Sequence, residues 1–244
     1  MELHILHTND MHNSLTAKKS AFIKDLRNHF APNVLLFDAG DAVGAGNLGA
    51  RGAEPVLSMM ADCGYDAMAM GNRESHPTRT ALTKKLKDAA VPVLSANLRP
   101  RREQKIPPIV TEYIIVDYID GVPPIAILGL APSITPPDTF WAKVTDYIYD
   151  DPIKTGSGLS KKLKEEGYYV IALTHIGKDK DIELLNASPN IDLIIGGHSH
   201  LLIDPPLKIN NSYIAATSSH AKEIGHLTIN FGDEITVQNE VIPL

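Results

Sequence analysis

Short apolar runs of strand length alternate along the chain with longer segments whose apolar residues recur at helical spacing. The strand-type runs are Leu3–Leu6, Val34–Phe37, Ala67–Met70, Val91–Ala96, Ile109–Val116, Ile125–Leu130, Tyr168–Thr174, Ile191–Ile195, Ser212–Ala216, Gly225–Phe231 and Ile235–Val241. Helical spacing predicts helices over Ala17–Phe30, Glu54–Cys63, Thr78–Ala90, Ile153–Glu166 and Lys180–Asn186. In the first of these, Phe22, Ile23, Leu26 and Phe30 form one apolar stripe. Gly64 and Gly167 follow helical runs and read as C-terminal caps. Strand and helix in alternation predict an α/β fold with crossover connections. The last three strands lack intervening helices and are expected to be antiparallel. The basic stretch Arg99–Lys105 and the proline-rich stretch Ala131–Asp138 read as loops, not linkers, because strand pattern resumes on both sides. There is no internal repeat, and one domain over residues 1–244 is expected.

Composition narrows the class. The chain has 244 residues, of which 43% are hydrophobic and 21% charged, an ordinary globular balance. A chain of this size buries roughly 70% or more of its unfolded surface and needs no disulfide or metal to fold. Its one cysteine, Cys63, excludes a disulfide framework. No apolar run approaches the ~18 residues of a membrane span. Lys and Arg total 23 against 29 Asp and Glu, a net charge of −6 that argues against nucleic-acid polymers and anionic membranes as partners. No signal peptide is visible, so a cytoplasmic location is expected.

The chemistry-bearing residues collect where strands end, which is where ligands sit in open α/β sheets. Asp10-Met11-His12 follows the first strand, and residues two apart on extended backbone share a side. Gly40-Asp41 closes the second strand; Asp38, inside the strand, reads as a structural acid. Gly71-Asn72-Arg73-Glu74 closes the third, and His175 stands alone at a later strand end. Gly196-Gly197-His198-Ser199-His200 carries two imidazoles after a glycine turn, and imidazole is the commonest protein metal ligand near neutral pH. Taken singly, the first four motifs read more readily as turns or satisfied structural residues, whereas the paired histidines of the fifth carry a strong signal of their own. Together they offer two Asp, one Asn and four His with no thiolate. That set is too large for one tetrahedral zinc and suits two divalent ions of borderline or hard character. Ions sharing a carboxylate bridge sit ~3.5–4 Å apart and clamp both oxygens of a phosphoryl displacement. Mn, Fe, Zn, Co or Ni would all accept these ligands.

The same five motifs, in this order, resemble the calcineurin-like metallophosphoesterases, and within them the 5′-nucleotidase/2′,3′-cyclic-nucleotide phosphodiesterase branch. The branch-like phrases are His7-Thr8-Asn9-Asp10, Gly64-Tyr65-Asp66-Ala67, Val93-Leu94-Ser95-Ala96-Asn97-Leu98 and Ile194 through His200. The resemblance implies a four-layer α/β sandwich, two packed mixed β-sheets flanked by helices. It implies a first metal on Asp10, His12 and His200, a second on Asn72, His175 and His198, and Asp41 as the bridge. It further implies hydrolysis of a small-molecule phosphomonoester or phosphodiester by in-line attack of a metal-bridging hydroxide. Glu74 is expected to buttress a ligand.

Two departures from the family pattern matter. The family's catalytic histidine in Gly-Asn-His-Glu is Arg73 here. Arginine stabilises phosphoryl charge but is always protonated and donates no proton. General-acid help is worth roughly 10²–10⁴-fold, so reduced activity biased to good leaving groups is expected. His76 and His220 are the candidates to replace the missing acid, with an exposed turn as the alternative role for His76. The second departure is that Leu244 follows directly on the metallophosphatase pattern, so no C-terminal nucleotide-specificity domain is expected. A catalytically weak metal- or ligand-binding module is the alternative to an esterase, and a non-phosphate ester hydrolase is a third reading.

Overall fold

Period-two alternation sets the layers. The structure, a computed structural model, describes residues 2–51, 53–101 and 105–244. The first half runs β1 (Glu2–Thr8), α1 (Ala17–Phe30), β2 (Val34–Asp38), α2 (Pro55–Cys63), β3 (Ala67–Ala69), α3 (Arg79–Lys85), β4 (Val93–Leu94), β5 (Leu98–Pro100), β6 (Val110–Thr111) and β7 (Tyr113–Val116). The second half runs β8 (Ile125–Leu130), β9 (Tyr147–Tyr149), α4 (Pro152–Glu165), β10 (Tyr169–Thr174), α5 (Lys178–Ala187), β11 (Leu193–Gly196), β12 (Ile203–Ile209), β13 (Ser212–Ala216), β14 (Glu223–Phe231) and β15 (Ile235–Pro243). A short 3-10 turn at Trp141–Lys143 precedes β9.

A seven-stranded sheet has the order β15-β14-β1-β2-β3-β4-β6, and a six-stranded sheet the order β12-β13-β11-β10-β8-β7. In the first sheet, Leu3, Ile5, Leu35 and Phe37 face the second sheet and meet Ile127, Ile171, Leu173, Leu193 and Ile195. The alternate residues Leu6, Val34 and Leu36 face outward and pack with Ile23 of α1 and Val56, Leu57 and Met60 of α2. On the far side, Leu128, Val170, Ala172 and Ile194 pack with Leu163 of α4 and Leu184 and Leu185 of α5. The result is helix, sheet, sheet, helix. Burying each large branched side chain contributes about 1.5–3 kcal/mol, so these three clusters dominate the cohesion. No helix among the described residues is long and apolar enough to cross a membrane.

The predicted helix over Ala17–Phe30 forms with those ends, capped by the Thr16 side chain accepting from Lys19 N–H. Gly64 (φ +80°) and Gly167 (φ +93°) take the left-handed conformation expected of caps. Thr78–Ala90 shortens to Arg79–Lys85.

Three expectations are corrected. The run 109–116 is two strands in different sheets: β6 pairs with β4, and β7 pairs antiparallel with β8. The chain crosses between sheets at Glu112, where the polar pair Thr111-Glu112 interrupts the apolar run and marks the break. Within the basic stretch, Leu98–Pro100 pairs with β9 and is not loop; residues 102–104 lie outside the described residues. Of the last three predicted strands, β14 and β15 are antiparallel neighbours, but β13 lies in the other sheet, parallel to β11. Its antiparallel partner is β12, which escaped prediction because Pro205 and Pro206 interrupt it.

Candidate metal centre

The parallel strands β1, β2, β3, β10, β11 and β13 all end at the same edge, and the loops that follow bring together every metal-type residue singled out in the sequence except His76. Asp10 Oδ1 lies 3.1 Å from His200 Nε2, 3.7 Å from His12 Nε2 and 3.8 Å from His175 Nε2. His12 Nε2 and His200 Nε2 are 3.1 Å apart. Asp41 Oδ1 lies 3.4 Å from His175 Nε2. Asn72 Oδ1 meets His198 Nδ1 at 3.0 Å, and the His198 ring stands edge-on to His175 with centroids 5.2 Å apart. Two groups have ligand atoms close enough to share an ion: Asp10 with His12 and His200, and Asp10 with Asp41 and His175.

The backbone that achieves this is not extended. Asp10 (φ +51°), His12 (+48°), Asp41 (+57°), His198 (+75°), His200 (+55°) and His220 (+65°) are all left-handed. Such residues are uncommon off glycine, cost of order 1–3 kcal/mol each, and cluster at functional sites. The expectation that Asp10 and His12, or His198 and His200, align by strand alternation is therefore corrected. His200 turns to Asp10 and His12, whereas His198 turns to Asn72. Two glycines make room. A Cβ on Gly40 would sit 2.9 Å from both Gly71 N and His175 Nδ1. One on Gly197 would sit 2.7 Å from the Ala39 oxygen.

Each ligand is held from behind. His175 Nδ1–H donates to the Ala39 carbonyl at 2.8 Å, which leaves the Nε2 lone pair facing the carboxylates. Asp10 Oδ2 accepts from His198 N–H at 2.8 Å and from Asn9 Nδ2 at 3.0 Å. Asp41 Oδ1 accepts from Arg73 N–H at 2.7 Å. Glu74 touches no ligand side chain; its carboxylate accepts the N–H groups of Asp41, Val43 and Gly71 at 2.9–3.0 Å and fixes the loops that carry Asp41 and Asn72. Asp38 is a buried structural acid, accepting from Thr8 Oγ1 at 2.6 Å and Gly40 N–H at 2.9 Å.

Sequence reasoning missed Asn9, which also grips the backbone of Thr217 and Ser218, and Lys85. The buried Lys85 ammonium donates to the carbonyls of Gly46, Asn47, Arg73 and Ser75, tying the 46–48 loop to the Asn72 loop. A lysine in an apolar helix face gives no signal of this. Arg73 is partly exposed, with Nε 3.6 Å from Asp41 Oδ2. The His220 ring stands 5.0 Å from His12 and 6.1 Å from His200, with Nδ1 on Ser219 Oγ. His76 is buried and its Nδ1 accepts from Thr78 N–H at 3.0 Å; it belongs to neither ligand group and does not occupy an exposed turn.

The electrostatics fit a cation. Burial holds the His12 imidazole near a pKa of about 4, with Arg73 adding to the effect. Burial and the neighbouring His175 likewise lower His198. Both rings thus keep free lone pairs near neutral pH. Burial would also lower His175, but Asp41 and Asp10 overcome it and raise the pKa to about 9. Burial works against ionised Asp41, yet the His175 contact and the Arg73 N–H hold its pKa below the usual value. Two buried carboxylates thus demand positive charge. Asp10 Oδ1 and His175 Nε2 are buried without a hydrogen-bond partner, which is how ligand atoms present to an ion. The donor set and its orientation fit divalent metal ions.

The sequence pattern of calcineurin-like phosphoesterases matches residues 3–202. The chain is 30% identical to a trifunctional nucleotide phosphoesterase, YfkN, of Bacillus subtilis over 98% of its own length and 19% of that protein's. It is 30% identical to a 5′-nucleotidase of Bos taurus over 85% of its own length and 40% of that protein's. Among solved structures, a 5′-nucleotidase precursor from Thermus thermophilus superposes with a TM-score of 0.80 at 22% identity, covering 100% of this chain and 55% of that one. The YfkN structure superposes with a TM-score of 0.76 at 23% identity, covering 99% and 90%. The chain spans well under two thirds of the curated relatives' lengths and shares the mixed two-sheet fold of these structures throughout. A match over residues 3–202, together with relatives 30% identical over most of its length, makes the chain a member of the calcineurin-like phosphoesterase family.

Proposed function

We propose that this site hydrolyses small-molecule phosphoesters, of nucleotide type, with two divalent ions. Asp10, His12 and His200 would hold one ion, Asn72, His175 and His198 the other, and Asp41 both. The observation that carries this reading is the fully buried group of Asp10, Asp41 and His175, whose ligand atoms lie within 4.8 Å of one another and whose Asp10 oxygen is shared with His12 and His200. When bound, such ions lower the pKa of a coordinated water and neutralise phosphoryl oxygens. The 5′-nucleotidase and nucleotide phosphoesterase relatives support the nucleotide class.

The chain's own residues supply the rest. The Arg73 guanidinium beside Asp41 is a permanent cation in position to bind a phosphoryl oxygen. In hydrolysis, water oxygen bonds to phosphorus, the ester P–O bond breaks, and the departing oxygen takes a proton. Arg73 supplies none. His220, against His12 and His200, is the imidazole on the site and the better-placed donor; His76 is turned to Thr78.

One observation favours a second reading. With Arg73 already 3.6 Å from Asp41, the site carries a built-in counter-ion and could serve as a ligand-binding module with little turnover. Hydrolysis of p-nitrophenyl phosphate and bis-p-nitrophenyl phosphate by Mn²⁺-loaded protein separates the two, with Asp41→Asn as the blank. Turnover lost in the blank supports the esterase, and metal binding without turnover supports the module.

A further inference from the structure

Beside the metal centre lies a cavity of about 660 Å³ lined by Asn47, Leu48, Pro77, Thr78, Ile134, Thr135, Trp141, Val144 and Thr145. Its volume is that of a small-molecule site, commonly ~300–1,000 Å³. None of the lining residues is charged, in a chain that is 21% charged overall. Leu48 (79% exposed), Trp141 (66%) and Val144 (60%) are among the most exposed large apolar residues of the molecule, and all three line it. The hydroxyls of Thr135 and Thr145 both donate to the Tyr147 carbonyl, so their donor capacity is spent inside the wall. What the cavity offers an occupant is aliphatic carbon, one indole face and the Asn47 amide.

This wall is joined to the metal centre. Asn47 Oδ1 accepts from Asn72 Nδ2 at 2.8 Å, and the next residue is Leu48. Lys85 binds the Asn47 and Arg73 carbonyls together. Pro77, four residues after Arg73, accepts the N–H groups of Asp146 and Tyr147 at the foot of the Trp141 segment. The edge of the cavity at Asn47 and Leu48 is thus one hydrogen bond from Asn72 of the metal centre.

We infer that this cavity is the leaving-group site, and that it takes a flat, uncharged aromatic group, sandwiched between Trp141 and Leu48. The inference rests on the phosphoesterase reading for its substrate but not for its binding surface. Aromatic stacking plus apolar burial discriminates such a group from a bare sugar.

Two readouts test it. Trp141 is the only tryptophan, so its fluorescence reports the cavity directly. Adenosine is expected to quench it saturably and ribose to leave it unchanged, with Leu48→Ser weakening the adenosine response. For turnover, adenosine 5′-monophosphate and ribose 5-phosphate share the same primary alkyl leaving oxygen and differ in the aromatic ring. The expected result is a kcat/KM ratio of roughly tenfold or more in favour of the nucleotide. Trp141→Ala should collapse that ratio, mainly through KM, and Trp141→Phe should retain most of it. An unchanged ratio in Trp141→Ala, or no fluorescence response to adenosine, overturns the inference. Adenosine quenching with no turnover of any ester upholds the cavity and sinks the phosphoesterase reading instead.

Discussion

The molecule contains two gatherings of histidine, and only one is built to hold metal. At the strand ends, His12, His175, His198 and His200 stand around two buried carboxylates. Along β1 and β14, His4, His7 and His226 form a ladder: His4 Nδ1 meets His226 Nε2 at 3.0 Å, Phe30 lies against both rings, and His7 Nε2 meets Asn239 Oδ1 at 3.3 Å. The acidic groups near the ladder, Glu2, Asp204 and Glu240, are all exposed, with Glu2 3.4 Å from His4 Nε2. No ladder residue belongs to a three-ligand group among the described residues. Imidazole count is similar in the two places. What differs is the buried carboxylate, which raises His175 where burial alone leaves His7 near a pKa of about 4. Carboxylates, not histidines, make the cation site.

That contrast can be broken from several directions. The largest effect is expected from Asp41→Asn, which makes the centre resemble the ladder. Turnover should fall on the order of 10³-fold while the fold survives, measured by phosphate release and circular dichroism. Next is the acid limb of stability. His7 is held neutral, its folded pKa of about 4 lying below the unfolded 6.5. Its contribution is complete above pH 6.5 and is lost as pH falls through about 4, up to roughly 3 kcal/mol. Urea unfolding of His7→Leu between those limits should show a flatter pH slope than wild type.

Third, Arg73→His restores a titratable group next to Asp41. Esters with poor leaving groups should accelerate by roughly 10²-fold and nitrophenyl esters far less. An equal change in both classes would show that Arg73 acts only as a cation. Fourth, chelation should lower the melting temperature by several degrees in wild type, since ligands bound only by the folded state stabilise it by about 2.7 kcal/mol at 100-fold excess over Kd. The same treatment should move Asp41→Asn less than wild type, in proportion to the ions it has lost. The smallest effect is expected for His226→Gln: roughly 0.5 kcal/mol of stability or less and no change in bound metal.

The residues that gather at the strand ends were legible as candidates because each motif follows an apolar strand and carries an oxygen or imidazole donor. The first helix and strands β1, β2, β10 and β11 were legible for the same reason, their apolar periods being unbroken. How the motifs converge was not legible. Left-handed backbone at Asp10, His12, His198 and His200 is imposed by tertiary packing, and sequence spacing suggested extended alternation instead. The split of residues 109–116 between sheets is marked only by the polar pair Thr111-Glu112, which is too short an interruption to separate two strands from one by pattern alone. Lys85 and the Trp141 cavity were invisible because their parts lie far apart in the chain: Leu48 and Trp141 come to line one cavity only after folding.

On the proposed function, the carboxylate-centred group holds two divalent ions and, among the described residues, the histidine ladder holds none. Calorimetric titration of metal-stripped protein with Mn²⁺ tests it most directly. The account predicts two ions per chain, at least one lost in Asp41→Asn and none lost in His226→Gln. One ion or none in wild type, or a loss that follows His226 and not Asp41, would contradict it.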